Sequence, residues 1–160
     1  MAIEAPLSSY KKKNYLIIAL LLLGGAAIFG YDGYLSKYEW SMRHDFYKEH
    51  VIDNGGVPDG DMMFNQKAPP LLAIAGIGVV IYYLVIVKKK RVIAEDTNLV
   101  AGGISIAYDA IEKLNKTHFD KKGFFVITYS QDGQNKELKL SDRTYDNLPA
   151  VLDHIVSKIS

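Results

Sequence analysis

The sequence contains no cysteine, and its two longest apolar runs contain no acidic, basic or histidine side chain. Without cysteine there is no disulfide, no thiolate nucleophile and no thiolate metal site. Without histidine or carboxylate, the apolar runs offer no haem ligand, proton relay or ion pathway of their own. The net charge of +1 gives no general attraction to nucleic acid. These absences argue against a redox carrier, a transporter and a nucleic-acid-binding protein.

The two apolar runs are Tyr15–Tyr31 and Pro69–Val87. Each approaches or meets the roughly 17–25 residues that cross a bilayer core, where the backbone must satisfy its own hydrogen bonds as a helix. We therefore predict membrane spans at 14–34 and 69–87, with Pro69 and Pro70 at the start of the second, where a missing N–H costs little. The first run lacks a small-x-small ending, which favours an uncleaved anchor over a cleaved secretory signal.

The charges beside the spans predict their direction. The connecting segment 32–68, which follows the first apolar run, has four Lys and Arg residues against seven Asp and Glu residues. Cationic clusters instead flank the first span on its N-terminal side and the second on its C-terminal side. Cations of this kind mark the cytoplasmic side and attract anionic lipid. They are Lys11, Lys12, Lys13, Lys88, Lys89, Lys90 and Arg91. We expect a multi-pass protein of the inner (cytoplasmic) membrane, with a cytoplasmic tail at 1–13 and both termini in the cytoplasm.

Small residues inside the spans are candidates for helix packing. Gly24 and Gly25 lie in the first span, and Ala75 and Gly76 in the second. Small side chains let helix backbones approach closely, either in the seam of a hairpin or against a partner helix, and the sequence leaves both open. Aromatic residues also crowd the outer end of the first span, where amphipathic rings anchor a helix at the interface. They are Tyr31, Tyr34, Tyr38 and Trp40.

The connection at 35–68 mixes aromatic and charged residues. We predict a short amphipathic helix over 34–51, supported by a Glu39–Arg43 pair one turn apart. The acidic residues do not follow the spacing of a calcium-binding EF-hand loop. His44 and His50 are six residues apart, which does not align them on one helix face, so we expect solvated surface histidines and no metal site.

Residues 88–160 have the pattern of a small β-domain. Two short apolar stretches flank Gly102 and Gly103, and two longer strands flank the turn at Asp132 and Gly133. The last segment instead has apolar residues at helical spacing, with Ser141 or Asp142 as a nearby N-cap. That stripe is Leu148, Val151, Leu152, Ile155 and Ile159. The predicted fold class is α+β: a two-helix transmembrane hairpin followed by a bent antiparallel sheet that a C-terminal helix closes.

The stretch from "IAEDTNLVAGGISIAYDAI" through "GFFVITYSQDGQNKELKLS" to "LPAVLDHI" resembles the pleckstrin-homology-like (PH-like) domains of small bacterial membrane proteins. The resemblance lies in the order of five to seven short strands before one helix, and it covers about 70 residues. It implies a binding or scaffolding fold without naming a ligand.

Motifs for chemistry are missing from the sequence. It has no phosphate-binding G-x-x-x-x-G-K-[ST], no G-x-S-x-G nucleophile turn and no H-E-x-x-H zinc motif. We therefore expect a protein that is not an enzyme, has no cofactor and does not bind a small molecule. Its expected partners are the lipid bilayer and other membrane-protein subunits, as an accessory or scaffolding subunit of a larger complex. The alternative is a membrane protein that senses an anionic lipid or another ligand.

Overall fold

The computed structural model describes residues 2–159, which form two compact units. One unit, the helical hairpin, comprises residues 15–83. The other, the β-domain, comprises the residues up to 14 together with those from 84 onward. The β-domain therefore contains chain from both sides of the hairpin. This confirms the predicted class of two long helices, antiparallel sheets and a C-terminal helix.

Two long helical segments dominate the first part of the chain. Helix α1 (Ser9–Gly30) runs into a π-helical turn (Tyr31–Leu35), and helix α3 (Gly60–Tyr82) runs into another (Tyr83–Val87). At 27 and 28 residues, each segment is about 40 Å long. Within residues 2–159 these two helices are long and apolar enough to cross a membrane, and only 11% of each apolar window is buried. A core helix of a soluble domain would instead be mostly covered.

Helix α3 begins nine residues earlier than the apolar run. Asp59 caps it, because its side chain accepts a hydrogen bond from the Met62 N–H at 3.0 Å. Pro69 and Pro70 therefore lie inside the helix, and the prediction that they begin it is wrong. A proline in a helix interior leaves the carbonyl four residues earlier without its N–H donor. For these two prolines, the carbonyls concerned are those of Asn65 and Gln66.

The connection between the helices is less helical than predicted. Within the described residues, α2 (His44–Tyr47) and the π-helical turn Lys48–Ile52 confirm the second half of the helix expected over 34–51, whereas residues 36–43 form turns instead. Two buried serines, Ser36 and Ser41, hydrogen-bond to neighbouring groups and hold residues 36–43 in turns. Arg43 pairs with Asp32 instead of the predicted Glu39.

The β-domain has two antiparallel sheets. The first has the order β1-β2-β3-β4 and the second β5-β6-β7. The strands are β1 (Ile3–Pro6), β2 (Arg91–Ala94), β3 (Asn98–Ala101), β4 (Ile104–Ala107), β5 (Ile111–Asn115), β6 (Phe124–Gln131) and β7 (Gln134–Ser141). Both predicted hairpins are confirmed: β3 pairs with β4 and β6 with β7. Their turns use positive φ at Gly102 and Gly103 and at Asp132 and Gly133, as tight hairpin turns require.

Strand β1 was not predicted. It precedes the first long helix, yet it pairs with β2, which follows the second, in the register Ile3↔Ala94 to Pro6↔Arg91. Ala5 is fully buried in the same core as Val92 and Ala94. The N-terminal segment is therefore an integral strand of the β-domain.

The remaining helices complete the β-domain. A 3₁₀ turn (Tyr108–Ala110) precedes β5, and α4 (Phe119–Lys122) precedes β6. Helix α5 (Leu148–Ile159) buries four residues of its predicted stripe in the core, whereas Ile159 remains 37% exposed. The helix begins well after the predicted caps, because Ser141 ends β7 and the Asp142 N–H donates to the Gly123 carbonyl.

Candidate functional site

A basic cavity in the β-domain collects five of the seven predicted cations. We call it the basic cavity; its volume is about 390 Å³. Its lining residues are Glu4, Pro6, Leu7, Lys12, Lys88, Lys89, Lys90 and Arg91. Lys11 and Lys13 do not line it. The fold thus brings together cations that are separated by more than seventy residues in the sequence.

Ser8 positions the first turn of α1, which carries Lys12. Ser8 is 1% exposed, its hydroxyl donates to the Arg143 carbonyl at 2.7 Å, and its N–H donates to the Thr144 carbonyl at 2.8 Å. The same hydroxyl accepts from the Lys11 N–H at 3.2 Å and so caps α1. These contacts hold the first turn of α1 against the segment that follows β7.

The lysines in the first turns of α1 work against helix stability. The N-terminus of a helix carries partial positive charge, which favours carboxylates there and disfavours cations. The first turn of α1 contains no acidic residue. Asp146 supplies the missing negative charge from the other end of the chain, since its carboxylate accepts from the Ser9 N–H at 3.0 Å. The position of the lysines is therefore not explained by the stability of the helix.

Most cations of the basic cavity have no carboxylate beside them in the cavity lining. Its single carboxylate, Glu4, accepts from Arg91 at 3.2 Å, and both side chains are about half exposed. Exposed pairs of this kind contribute about 0–1 kcal/mol. The four lysine side chains of the cavity are exposed, and within residues 2–159 they make no hydrogen bond or ion pair; they are Lys12, Lys88, Lys89 and Lys90. Four lysine charges therefore remain available to an anion.

A second depression adjoins the basic cavity. Its volume is about 320 Å³, and it combines three of the same cations with apolar and glycine residues. The residues are Ile86, Lys89, Lys90, Arg91, Ile93, Val100, Gly102 and Gly103. Cations beside isoleucine and valine match a ligand that joins an anionic group to an apolar one.

The predicted packing residues divide between two faces of the hairpin. A Cβ on Gly76 would lie 2.8 Å from the Leu23 side chain, and one on Gly25 would lie 3.6 Å from Leu72. Gly25 and Gly76 therefore face the opposite helix. Gly24 has no described atom within 4 Å of such a Cβ, and Ala75 is exposed. These two residues face away from the seam.

The tightest part of the seam lies at the two internal prolines. The Gln66 carbonyl, which Pro70 leaves without a helical donor, accepts from the Tyr34 hydroxyl, and the Gln66 side chain donates to the Gly33 carbonyl at 3.3 Å. A Cβ on Gly33 would collide with the Asn65 carbonyl oxygen. Gly33 therefore permits a backbone approach that any side chain would block. Gly33 was not among the predicted packing residues, because it lies beyond the uncharged run that ends at Tyr31.

The histidines of the outer connection are not solvated surface residues. Both are partly buried, and His44 donates to the Ser36 carbonyl at 3.1 Å. His50 is 15% exposed in its side chain, donates to the Asp59 carboxylate at 2.7 Å and contacts the Phe46 ring at 4.2 Å between centroids. Asp59 thus joins His50 to the N-terminus of α3. Among residues 2–159 no group of three or more His, Asp or Glu side chains could hold a metal ion.

Two pKa shifts follow from this contact. The hydrogen bond to Asp59 raises the pKa of His50 above its usual value of 6.5, and nearby Glu49 and Asp61 act in the same direction. Hydrogen bonds from the Met62 N–H and then from His50 lower the pKa of Asp59 below 3.8. Both shifts favour the charged pair.

Comparison with protein-family models, with curated proteins and with solved structures finds no match for this chain. The resemblance to bacterial PH-like domains therefore gains no support from a family or a homologue. A functional proposal for this chain therefore depends on its fold and on the geometry of the basic cavity.

We predict that Gly33→Ala destabilises the hairpin by about 1–3 kcal/mol, because the new methyl group would force the two backbones apart. Gly24→Ala is the matched control: its Cβ meets no described atom within 4 Å, and alanine favours a helix over glycine by about 0.5–1 kcal/mol. Thermal unfolding of the full chain in detergent measures both. Equal stability of the two variants would contradict the close approach at Gly33.

We also predict a pH-dependent contribution of His50 to the stability of the outer connection. Because its folded pKa is raised, this contribution is complete below pH 6.5 and is lost as the pH rises through the folded pKa. The Asp59 contribution is present above pH 3.8 and is lost as the pH falls through its own lowered value. The charged pair is therefore strongest between these two limits.

Histidine NMR of the full chain measures this pKa directly. Asp59→Asn keeps a good helix cap and should bring the pKa of His50 down to its usual value or lower, since burial then opposes the charge. Glu49→Gln, which removes a weaker charge effect, should lower it by less. A pKa that is equal in the wild type and in Asp59→Asn would show that this contact does not form.

Proposed function

We propose that this chain is a non-catalytic, two-span membrane protein that serves as an accessory or scaffolding subunit of a larger membrane complex. The observation that carries the proposal is the uncovered apolar surface of α1 and α3, of which only 11% is buried in each apolar window. Such surface is stable in lipid or against other membrane helices. The apolar runs Tyr15–Tyr31 and Pro69–Val87 within these helical segments lack the charged groups that transport or proton transfer requires.

The pairing of β1 with β2 supports two spans with a common side for both termini. Strand β1 precedes α1, and β2 follows α3. If each helix crosses the membrane once, the two strands lie on the same side, where they can share a sheet. The cations beside them assign that side to the cytoplasm.

The same pairing supports retention of the first helix. Ala5 is 0% exposed and Leu7 is 2% exposed, so both contribute to the interior of the β-domain. Cleavage after a secretory signal in the first apolar run would remove this strand. An uncleaved anchor keeps the sheet intact.

The strand order supports a PH-like arrangement for the β-domain. Six strands, β2 to β7, precede the C-terminal helix in the part of the chain that follows the hairpin, within the five to seven strands before one helix that the resemblance implies; β1 adds a seventh strand from before the hairpin. The proposal adds that the helical hairpin is inserted between the first and second strands. The domain would then present its surface to partners at the cytoplasmic face of the membrane.

An open groove on the hairpin supports contact with a partner helix. It has a volume of about 660 Å³ and is lined by small, proline and tyrosine residues, which leave room for a neighbouring helix. These residues are Ala26, Ala27, Gly30, Tyr31, Tyr34, Leu35, Pro69, Pro70 and Ala73.

Photo-cross-linking from the hairpin tests this function. A photoreactive amino acid at Ala27, in the groove, should capture a specific membrane protein in native membranes after mild extraction. The control position is Ile18, which is 46% exposed on α1 and does not line the groove. Two results together would contradict the subunit role. The chain would migrate alone at native expression level, and the probe at Ala27 would give no adduct beyond that from Ile18.

The basic cavity favours a second function, the sensing of an anionic lipid. Three of its four free lysines directly follow the helical segment Gly60–Val87, where anionic head groups would lie if that segment spans the membrane. Each cation near an anionic membrane surface contributes about 1 kcal/mol. The apolar residues of the adjoining depression would accommodate the part of the lipid next to its head group.

Lipid binding by the full chain in mild detergent tests this second function, with native mass spectrometry as the measurement. We predict that neutralising Lys12, Lys88, Lys89 and Lys90 to glutamine weakens binding of an anionic phospholipid by about tenfold or more, leaving binding of a zwitterionic one unchanged. The matched control neutralises four exposed lysines elsewhere in the β-domain: Lys113, Lys116, Lys121 and Lys122. An equal loss of anionic-lipid binding in the control variant would show that the effect comes from net charge and not from the basic cavity.

A further inference from the structure

An exposed aromatic segment lies in the outer connection of the hairpin. We call Tyr38–Met42 the aromatic flap. Its large side chains are uncovered: Tyr38 is 43% exposed, Trp40 is 67% exposed and Met42 is 92% exposed. The rings of Tyr38 and Trp40 are stacked, with centroids 5.5 Å apart and planes at 9°. They form one flat apolar surface instead of two separately solvated side chains.

The flap folds back on the end of the first long helix. The Arg43 guanidinium donates to the Asp32 carboxylate through two hydrogen bonds, of 3.0 and 3.2 Å, and the Asp32 side chain is only 14% exposed. The buried Ser41 donates from its hydroxyl to the Tyr31 hydroxyl at 3.2 Å. These contacts place the C-terminal end of the flap beside Tyr31 and Asp32.

A second set of contacts fixes the N-terminal end of the flap. Ser36 is fully buried and donates from its hydroxyl to the Asp32 carbonyl. Its own carbonyl accepts from His44 at 3.1 Å. Both ends of the flap are therefore attached to the turn of helix in which the apolar run ends. The flap lies at the level of that turn and cannot extend far beyond it.

We propose that the aromatic flap lies in the outer interface of the bilayer, with its stacked rings against lipid. The inference rests on the proposed placement of α1 and α3 across a membrane. Ile28 and Leu35, on the helical segment that leads to the flap, are also exposed apolar side chains. Tyrosine and tryptophan rings favour this depth because one end is apolar and the other is polar.

The charges around the flap fit lipid head groups as the occupant. Lys37 lies with its ammonium 5.0 Å from the centre of the Tyr38 ring, and Arg43 stands at the other end of the flap. The Lys37 ammonium can reach a phosphate group while the rings remain in the interface, whereas Arg43 is already paired with Asp32. Glu39, between them, is exposed.

Trp40 is the single tryptophan of the chain, so its fluorescence reports on the flap alone. The experiment uses the full chain in lipid nanodiscs that hold one copy each. Lipids brominated close to the head group should reduce the Trp40 fluorescence at least about twofold, because interfacial rings lie at the depth of the head groups. Lipids brominated at the chain ends should reduce the fluorescence less. Aqueous iodide should quench it weakly. Strong quenching by iodide with none by brominated lipid would overturn the proposal.

Substitution of Arg43 tests the fold-back. Arg43→Gln should release the flap, shift the Trp40 emission to longer wavelength and increase quenching by iodide. Lys48→Gln is the matched control, since it removes an exposed pair with Asp45 in the same connection. If the Arg43→Gln variant fails to fold, the quenching of Trp40 in the wild type still tests the position of the flap. An Arg43→Gln protein that folds and keeps the wild-type quenching pattern would overturn the fold-back as its cause.

Three further outcomes distinguish this inference from the proposed function and from a contact between copies. Failure of the chain to enter nanodiscs, or its release from membranes at alkaline pH, would contradict the spans themselves. Stable insertion with Trp40 open to iodide would overturn the flap alone. Shielding from both quenchers in membranes that hold many copies, lost in single-copy nanodiscs, would assign the flap to a contact between copies and overturn the lipid proposal.

Discussion

The antiparallel pairing of Ile3–Pro6 with Arg91–Ala94 is the contact on which the rest of the β-domain relies. It joins the start of the chain to the residue range that follows α3, and it buries Ala5 among Val92, Ala94 and the residues of α5. Through Ser8 and Ser9 it also determines where α1 begins and where its lysines lie. The basic cavity exists because of this pairing, since Glu4, Pro6 and Leu7 form one side and Lys88 to Arg91 the other.

The hairpin has a comparable point of constraint at Gly33. Pro69 and Pro70 remove two helical donors from α3, and the resulting free carbonyls are turned toward the end of the first helical segment. Tyr34 satisfies one of them, and Gly33 allows close approach to the other. Two residues that weaken an isolated helix thereby create specific contacts between two helices. Unpaired carbonyls in an apolar surrounding are costly, so these contacts disfavour other pairings of the helices.

Several local features could be predicted because neighbouring residues determine them. The turns at Gly102–Gly103 and Asp132–Gly133 require positive φ, which these residue types supply, and the strands beside them follow. The stripe of α5 follows from its period and its apolar residues. The cap of α5 could not be read this way, because Ser141 and Asp142 are held by β7 and by Gly123. The outer connection was also misjudged, since Arg43 had Glu39 within reach in the sequence but pairs with Asp32 in the fold.

The sequence by itself determined the two apolar helices, the cations beside them and the alternation of the β-hairpins, because periodicity and hydrophobicity act over a few neighbouring residues. Only the tertiary structure decided which cations share a cavity, which glycines face the seam and which carboxylate holds His50. Those outcomes depend on contacts between residues far apart in the chain. Strand β1 is the clearest case: four residues beside a lysine cluster give no signal of their own until β2, on the far side of the hairpin, supplies their hydrogen-bonding partner.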